Sequence, residues 1–513
     1  MSTMRYGDGT TYGAVGLTYG EQTIANRRIT FGLVIDWDND GVLTGENEAT
    51  NRLLNWSERR GREFVFNSSG DGFNHPSAGE ISFDMLDIDG RYDPYNASGE
   101  LYSYLYGNQK LQFFVKDEVT GDRFVAFTGY ITDIRPNYGT PNKTTIYASD
   151  GRLKLENKKI RSSVVTSQQY EDRISAALTE ADWTDGTEID TTSSDTLPYH
   201  WFSGKSAADE IDDLADATFG VFFIDMEGNA VYKSSLIADA STQSLTEADI
   251  DYQYRIKAPA PRDVIRNLVT VFARSRTAVS AVEIWRMAEK PQLLVGENNA
   301  VWAEFTYNGV EAAATSVTEP AATTDYTAND AQDGSGTVRT GNLSFVMTAF
   351  ATSAKLVPTV SSGTPYLTLL KLRGNIITTD EYTFSEESDA ASIASYGERS
   401  LTIKTNWLQS LNTAQEQAAL LLGKFAQPKA FPRIKFKRSS ISKQYTSDLF
   451  DLVTLNFSTF GVTGEFRVGY IERSWSISEP SAINTITYFE PNLTVSASSS
   501  WTFPMTFPTI FAT

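Results

Sequence analysis

Apolar and polar residues alternate along much of this chain with the two-residue period of strands that bury one face. From residue 29 to about 155 the pattern is almost unbroken. Ile81, Phe83 and Met85 alternate with polar neighbours. Residues 111–115, LQFFV, form an apolar run of strand length, and residues 124–134, FVAFTGYITDI, predict another strand with Gly129 at a bulge or bend. A helical period replaces the alternation at three places. Tyr170, Ile174, Ala177, Leu178 and Ala181 share one face, with Thr166 and Gln169 spaced as a capping box. Ala207, Ile211, Leu214 and Ala215 define a second helix to Phe219, with Gly220 at its C-terminal cap. Ala414, Ala418, Leu421, Leu422 and Phe425 define a third, opened by Thr413 with Glu416 and stopped by Pro428. Between the second and third, VFFIDMEGNAVYKS predicts a hairpin turning at Glu227-Gly228-Asn229.

Some stretches lack either period. The first 25 residues are rich in Gly and Tyr, so regular structure is not expected there, and their tyrosines are suited to docking on a neighbour. Residues 291–406 are again β-like, but EAAATSVTEPAATTDYTANDAQDGSGT within them has low hydrophobicity and predicts loop or linker. The tail WTFPMTFPTIFAT is apolar and broken by proline. It either packs on its own domain or docks on a partner.

Two segments resemble each other. LQFFVKDEVTGDRFVAFTGYITDI followed by TTIYASD matches VTLNFSTFGVTGEFRVGYIERS followed by TITYFEP. Both carry Thr-Gly-acid (Thr120 to Asp122, Thr463 to Glu465) and Gly-Tyr-Ile (Gly129 to Ile131, Gly469 to Ile471). Coincidence among strand-forming residues is one explanation. The other is two related β-barrels in one chain, which would let three copies build a ring of six.

Composition narrows the chemistry. The 513 residues include 44 Lys plus Arg against 64 Asp plus Glu, a net charge of -20 that disfavours a dedicated reader of nucleic acid. With no cysteine and only His75 and His200, disulfides, thiol nucleophiles and histidine-rich metal sites drop out. No export signal is expected in the first thirty residues, and no apolar run reaches the ~18 residues of a membrane span. Synthesis in a cytoplasm is the expectation.

One motif stands out. Asp36-Trp37-Asp38-Asn39-Asp40-Gly41 has the spacing of a calcium loop, in which Asp36, Asp38, Asp40, the Val42 carbonyl and the Thr44 hydroxyl would be the Ca2+ ligands. Position 12 is Asn47 in place of the bidentate Glu, and a strand, not a helix, precedes it. The competing reading is an Asp-rich turn whose side chains cap backbone amides, and the sequence favours it. Gly204-Lys205-Ser206 imitates a phosphate loop, but position 199 is Tyr where that loop needs Gly, so nucleotide binding is rejected. No nucleophile elbow appears. Trp183, Trp201, Trp407 and Trp475 would suit a sugar site, though core packing explains them better. No catalytic residue is assigned.

The segment from Leu86 to Asn96, LDIDGRYDPYN, is similar to the N-x-DGR-[FY]-SP-x-N segment of tail-tip or baseplate hub proteins of tailed bacteriophages, often labelled minor tail proteins. TYGAVGLTYG, VIDWDNDG, ASDGRLKLENK, RISAALTEADW, WFSGKSAADEIDDLADATFG, RNLVTVFA and FDLVTLNF also resemble that family, in order and over most of the chain. Asp87 and Asp93 depart from the family's usual Asn and Ser. The resemblance implies a homotrimer, without catalysis, at the distal end of the tail tube. It would contact a distal tail protein or tube ring, the tape-measure protein and receptor-binding or fibre proteins, with DNA crossing an acidic lumen that does not hold it. A mainly β fold with α+β parts is then expected. Residues 1–27 would be an arm, 28–160 a first β-barrel hub domain, 161–254 a helix-containing α+β domain and 255–288 plus 425–492 a second barrel. Residues 289–424 would be an inserted β-domain ending in a helix, and 493–513 a C-terminal arm. The alternatives are a hexameric distal tail protein, a calcium-dependent adhesin or glycan binder, and a cell-wall hydrolase.

Overall fold

The computed structural model describes residues 22–24, 27–43, 51–63, 65–66, 72–118, 120–191, 196–234, 240–251, 264–429, 431–437, 441–477 and 483–491. The N-terminal tyrosines, Thr44 and the C-terminal apolar tail lie outside them. The fold is mainly β, as the alternation predicts.

Its largest element is a twelve-stranded sheet. In chain order its strands are β1 (Gln22–Ile24), β2 (Arg27–Ile35), β3 (Leu53–Gly61), β4 (Ser77–Leu86), β5 (Lys110–Asp117), β6 (Arg123–Asn137) and β7 (Lys143–Ser149). Five more follow: β8 (Gln243–Thr246), β9 (Arg433–Lys435), β10 (Leu452–Phe457), β11 (Val462–Ser476) and β12 (Asn484–Pro491). The path runs β1-β2-β5-β6-β7-β4-β3-β11-β10-β8, with β12 joining β11 to β9. β1 is regular structure within the arm expected to have none.

The alternation seats the first core. Ile81, Phe83, Met85, Leu111, Phe113 and Val115 turn inward and are fully buried. Phe31 on β2 lies 5.8 Å from Trp56 on β3, although four strands separate them in the hydrogen-bonded path. The sheet therefore curls around its own apolar face. A second core gathers Leu245, Val453, Leu455, Phe466, Val468 and Phe489 under β8 and β10–β12.

The repeat is visible as two antiparallel meanders, β5-β6-β7 and β10-β11-β12, each built on a 15-residue central strand. Two details differ from expectation. Thr120-Gly121 stands at the β5–β6 turn, but Thr463-Gly464 lies inside β11, and residues 458–461 make the turn there. The bulge falls on Gly469 in β11, whereas in β6 the register slips on either side of Gly129, at Ala126 and Thr132.

The remaining segments distribute differently from the sequence expectation. Leu268–Ala273 and Arg276–Arg286, assigned to the second barrel, pair with Thr383–Ser388 and Tyr366–Thr379 instead. Gln243–Thr246, assigned to the helical segment, pairs with β10 as β8. The helix Leu411–Phe425, assigned to the inserted β region, buries Ala414, Ala418, Leu421 and Phe425 in one core with the helices Tyr170–Glu180 and Ala207–Thr218 and with Val269 and Val271. The Thr/Ala-rich stretch expected as linker supplies Ala313–Thr318 and Tyr326–Asn329, both paired with Tyr366–Thr379. Small side chains suffice there because Ala313, Ala314 and Ala328 meet the larger residues of that strand and of the facing sheet.

Helix caps shift too. Thr166 lies in a strand, Val165–Gln169, and the first helix starts without a side-chain cap. Phe219, not Gly220, takes the left-handed conformation at φ 54. Gly220 is required for another reason: a Cβ there would strike the Tyr232 ring. The third helix begins a turn earlier than expected, at Ser410, whose Oγ accepts from the Thr413 amide at 3.3 Å. The hairpin at Glu227-Gly228-Asn229 forms as expected.

Candidate functional site: an acidic, tyrosine-rich rim and a buried charged joint

The Asp36 loop leaves β2 at Ile35. Asp36 is buried, with its amide donating to the Lys110 carbonyl at 2.9 Å. Its carboxylate accepts from the amides of Asp40 at 3.1 Å and Gly41 at 3.0 Å, and Asp40 accepts from the Val42 amide at 2.7 Å. Asn39 and Gly41 hold positive φ, as a tight Asx-type turn requires. The turn-capping chemistry expected of Asp in such a loop is therefore present. Asp36, Asp38 and Asp40 also bring ligand oxygens within 4.8 Å of one another, so this loop has three of the donors of a cation site. Val42 is exposed, and Thr44 falls outside the described residues.

The loop does not stand alone. Trp37 packs on Tyr92 at 5.9 Å between ring centroids, and the Asn39 side-chain amide donates to the Tyr106 hydroxyl at 3.4 Å. Both tyrosines belong to residues 87–109, which connect β4 to β5. Asp87 braces this connection by accepting from the Tyr92 amide and the Thr144 hydroxyl, and Asp93 accepts from the Tyr95 amide and the Tyr138 hydroxyl. The two departures from the resembled motif thus keep turn-forming acceptors in place. Arg52 forks onto Asp89 at 2.6 and 2.8 Å, and Arg91 pairs with Glu100. One rim of the first core consequently displays Tyr95, Tyr102, Tyr104, Tyr106 and Tyr138 to solvent. Reading the sequence for periodicity missed this rim, because its tyrosines sit in a loop. The only available signal was the density of tyrosine in ELYSYLYG.

At the opposite side of the first core, β3 and β11 join the two halves of the large sheet. Glu58 and Arg473 face each other across this seam, both fully buried, at 3.2 Å. Arg60 reaches Asp448 at 2.7 and 3.1 Å and the Ile224 carbonyl at 2.8 Å. Asp448 also accepts from the Met226 amide at 2.6 Å. One guanidinium so ties β3 to the segment that leads into β10 and to the 221–233 hairpin. Burial pushes the Glu58 carboxyl up, against the pull of Arg473 and Arg60. Asp150 beside them rises to about 6, chiefly through burial, although the Gly79 amide and Arg60 oppose it. Glu227, exposed at the hairpin tip, rises to about 7 through partial desolvation, with Asp225 and Asp448 adding repulsion.

A groove of about 740 Å³ lies on the solvent side of β3, β4, β6 and β7. Arg59, Arg60 and Arg135 line it together with Glu80, Asp133 and Glu156, three cations against three carboxylates, so no acidic excess collects there.

The other sequence candidates resolve as structural. Trp475 packs on Phe31 at 4.8 Å and Trp407 on His200 at 4.1 Å, both deep in cores, while Trp183 and Trp201 flank the helical core. His200 is buried, and desolvation together with Arg173 and Arg276 keeps it neutral. Lys205 is occupied by Asp213, and Ser206 caps its helix through the Asp209 amide. No described helix is long and apolar enough to cross a membrane.

No protein-family model matches this chain, and no curated protein matches it. Among solved structures it is similar to a tail protein from Neisseria meningitidis MC58, at 9% identity and TM-score 0.47, covering 90% of this chain and 97% of that one. It is likewise similar to the 43 kDa tail protein of prophage MuSo2 from Shewanella oneidensis, at 11% identity and TM-score 0.49, covering 90% and 99%. A third is the prophage tail protein gp18 from Listeria monocytogenes, at 10% identity and TM-score 0.40, covering 90% and 94%. Tail proteins are thus among the solved structures to which this chain is similar over nine-tenths of its length, and a component of the type VI secretion system from E. coli, at 8% identity and TM-score 0.37, is another.

Proposed function

We propose that this chain is a structural protein of a phage tail, a homotrimeric hub at its distal tip that continues or closes the tube and anchors receptor-binding components. The observation that carries this reading is the recurrence of one meander, β5-β6-β7 and β10-β11-β12, in a single continuous sheet. Each meander would form one barrel-like unit of the ring, so three copies would present six similar units to a sixfold tube. The ordered sequence resemblance supports the same reading. The rigid joint at Glu58, Arg60 and Arg473 fits it as well, because a ring needs a fixed angle between its units. The chain would then work by assembly, without catalysis, with the tape-measure protein and DNA passing or resting at its centre.

The test is the mass of the full chain in solution with an end-on projection of the particle. Three chain masses and six lobes are expected. A monomer sinks the reading, and a hexamer transfers the chain to the distal tail ring.

A further inference from the structure

Large exposed apolar side chains are normal one at a time, and concentrated ones mark interaction surfaces. Tyr95, Tyr106 and Tyr138 are 79%, 69% and 66% exposed, the highest values among the exposed aromatics of the described residues. They share the rim with Tyr102, Ile88 and Val42. The rim is built, not loose: Tyr138 bonds Asp93, Tyr106 accepts from Asn39, and the Tyr102 amide donates to the Gly99 carbonyl. Tyrosine costs little side-chain entropy to hold and offers both a ring face and a hydroxyl, which is why it is enriched at protein interfaces.

Charge decides what covers it. Residues 36–42 and 87–106 contain seven carboxylates and one guanidinium, Arg91; Arg52 brings the second, leaving an excess of five negative charges. Asp38 and Asp40 are exposed and pair with no cation among the described residues. A cation approaching here finds ring faces and carboxylates together, the two environments that hold guanidinium and ammonium groups best. A second copy of this chain carries the same net sign, -20, and gains nothing from that field at long range. We infer that this rim is a docking surface for a different protein that presents an arginine- or lysine-bearing segment, whose cations stack on Tyr95, Tyr106 and Tyr138 and pair with Asp38 and Asp40. The inference stands whether or not the chain is a trimer.

The test uses the full chain and a labelled dodecapeptide of alternating Arg and Gly, with a Glu and Gly dodecapeptide as counter-probe, read by fluorescence anisotropy at physiological salt. Tyr95→Ser with Tyr106→Ser and Tyr138→Ser weakens binding about tenfold, and Asp38→Asn with Asp40→Asn does so comparably. Replacing the same three tyrosines by Phe keeps the rings and retains binding. Glu304→Gln with Glu311→Gln, which removes equal charge from another surface, changes it less than about twofold. Equal loss in that control, or no loss in the rim variants, overturns the inference by reducing it to diffuse attraction. Loss in the Phe variant overturns the stacking. If sedimentation shows that the Ser variant breaks a self-association of the wild type, the rim is a contact between copies and the inference also falls.

Discussion

Asp36 shows how one residue type supports two readings until its hydrogen bonds are known. Its oxygens already satisfy two backbone amides of the turn, so removal leaves both without an acceptor. Asp36→Ala is expected to cost about 1–3 kcal/mol in urea unfolding, while Asp38→Ala, at an exposed position, stays within about 0.5 kcal/mol. If capping is its whole role, melting temperatures with calcium and with chelator coincide. A calcium-dependent rise lost in Asp38→Ala would instead establish the cation site. The sequence had narrowed the choice through Asn47 in place of Glu, and of the four tryptophans read as core, Trp407 and Trp475 are buried in cores while Trp183 and Trp201 pack half-buried against one. Phe219 was not legible, because a bulky residue at positive φ violates local preference. It is tolerated because Gly220, the better candidate, is needed where Tyr232 approaches.

At the scale of elements, the seam between β3 and β11 concentrates the cost of joining two cores. Glu58 and Arg473 are both fully buried, so truncating Arg473 leaves the Glu58 carboxylate with only the longer 4.0 Å contact to Arg60 to offset its burial. Arg473→Met is expected to destabilise by about 3–5 kcal/mol, and adding Glu58→Leu to recover a large part of that loss. A double variant as unstable as the sum of the two singles would refute the pairing. Gly61 is a second weak point: it holds φ +96 and its Cβ would run into the Gly469 carbonyl. Gly61→Ala is therefore expected to lower the unfolding midpoint more than an Ala substitution at the exposed Gly121, where no atom lies within 4 Å of the added methyl. Strand existence was largely legible here because a period of two survives single substitutions. Strand partnership was not, as Leu268–Ala273 and Gln243–Thr246 illustrate, because alternation names the buried face but not the neighbour that covers it.

For the whole molecule, two acids whose pKa rises on folding, the buried Asp150 and the hairpin-tip Glu227, set the direction of the pH response. Asp150 rises from 3.8 to about 6 on folding and Glu227 from 4.5 to about 7, so the folded chain binds more protons than the unfolded one inside those windows. Stability must then fall as pH rises through them. His75 acts in the same sense: burial lowers its pKa, but the Asp216 hydrogen bond and the charge of Asp212 outweigh that and hold it above 6.5. Its contribution is complete below 6.5 and is lost as pH rises through the folded value. Melting temperature is accordingly expected to decline from pH 5 to pH 8. Asp150→Asn should flatten the lower part of that slope and His75→Gln the upper part. A rise over this range would contradict the assigned environments.

By itself the sequence determined the mainly β character, the three helices, the hairpin and the recurrence of a meander, since each is written in spacing that local sterics and burial enforce. It also excluded thiol and disulfide chemistry through composition alone. Tertiary structure decided the rest. It fused both meanders into one sheet, drew the Thr/Ala-rich stretch into a sheet, gave the third helix to a core assembled from distant segments, and gathered the exposed tyrosines beside the Asp36 loop. Those outcomes depend on which apolar faces meet and which loops lie side by side. Such choices are set by shape and burial between residues hundreds of positions apart, and no local pattern records them.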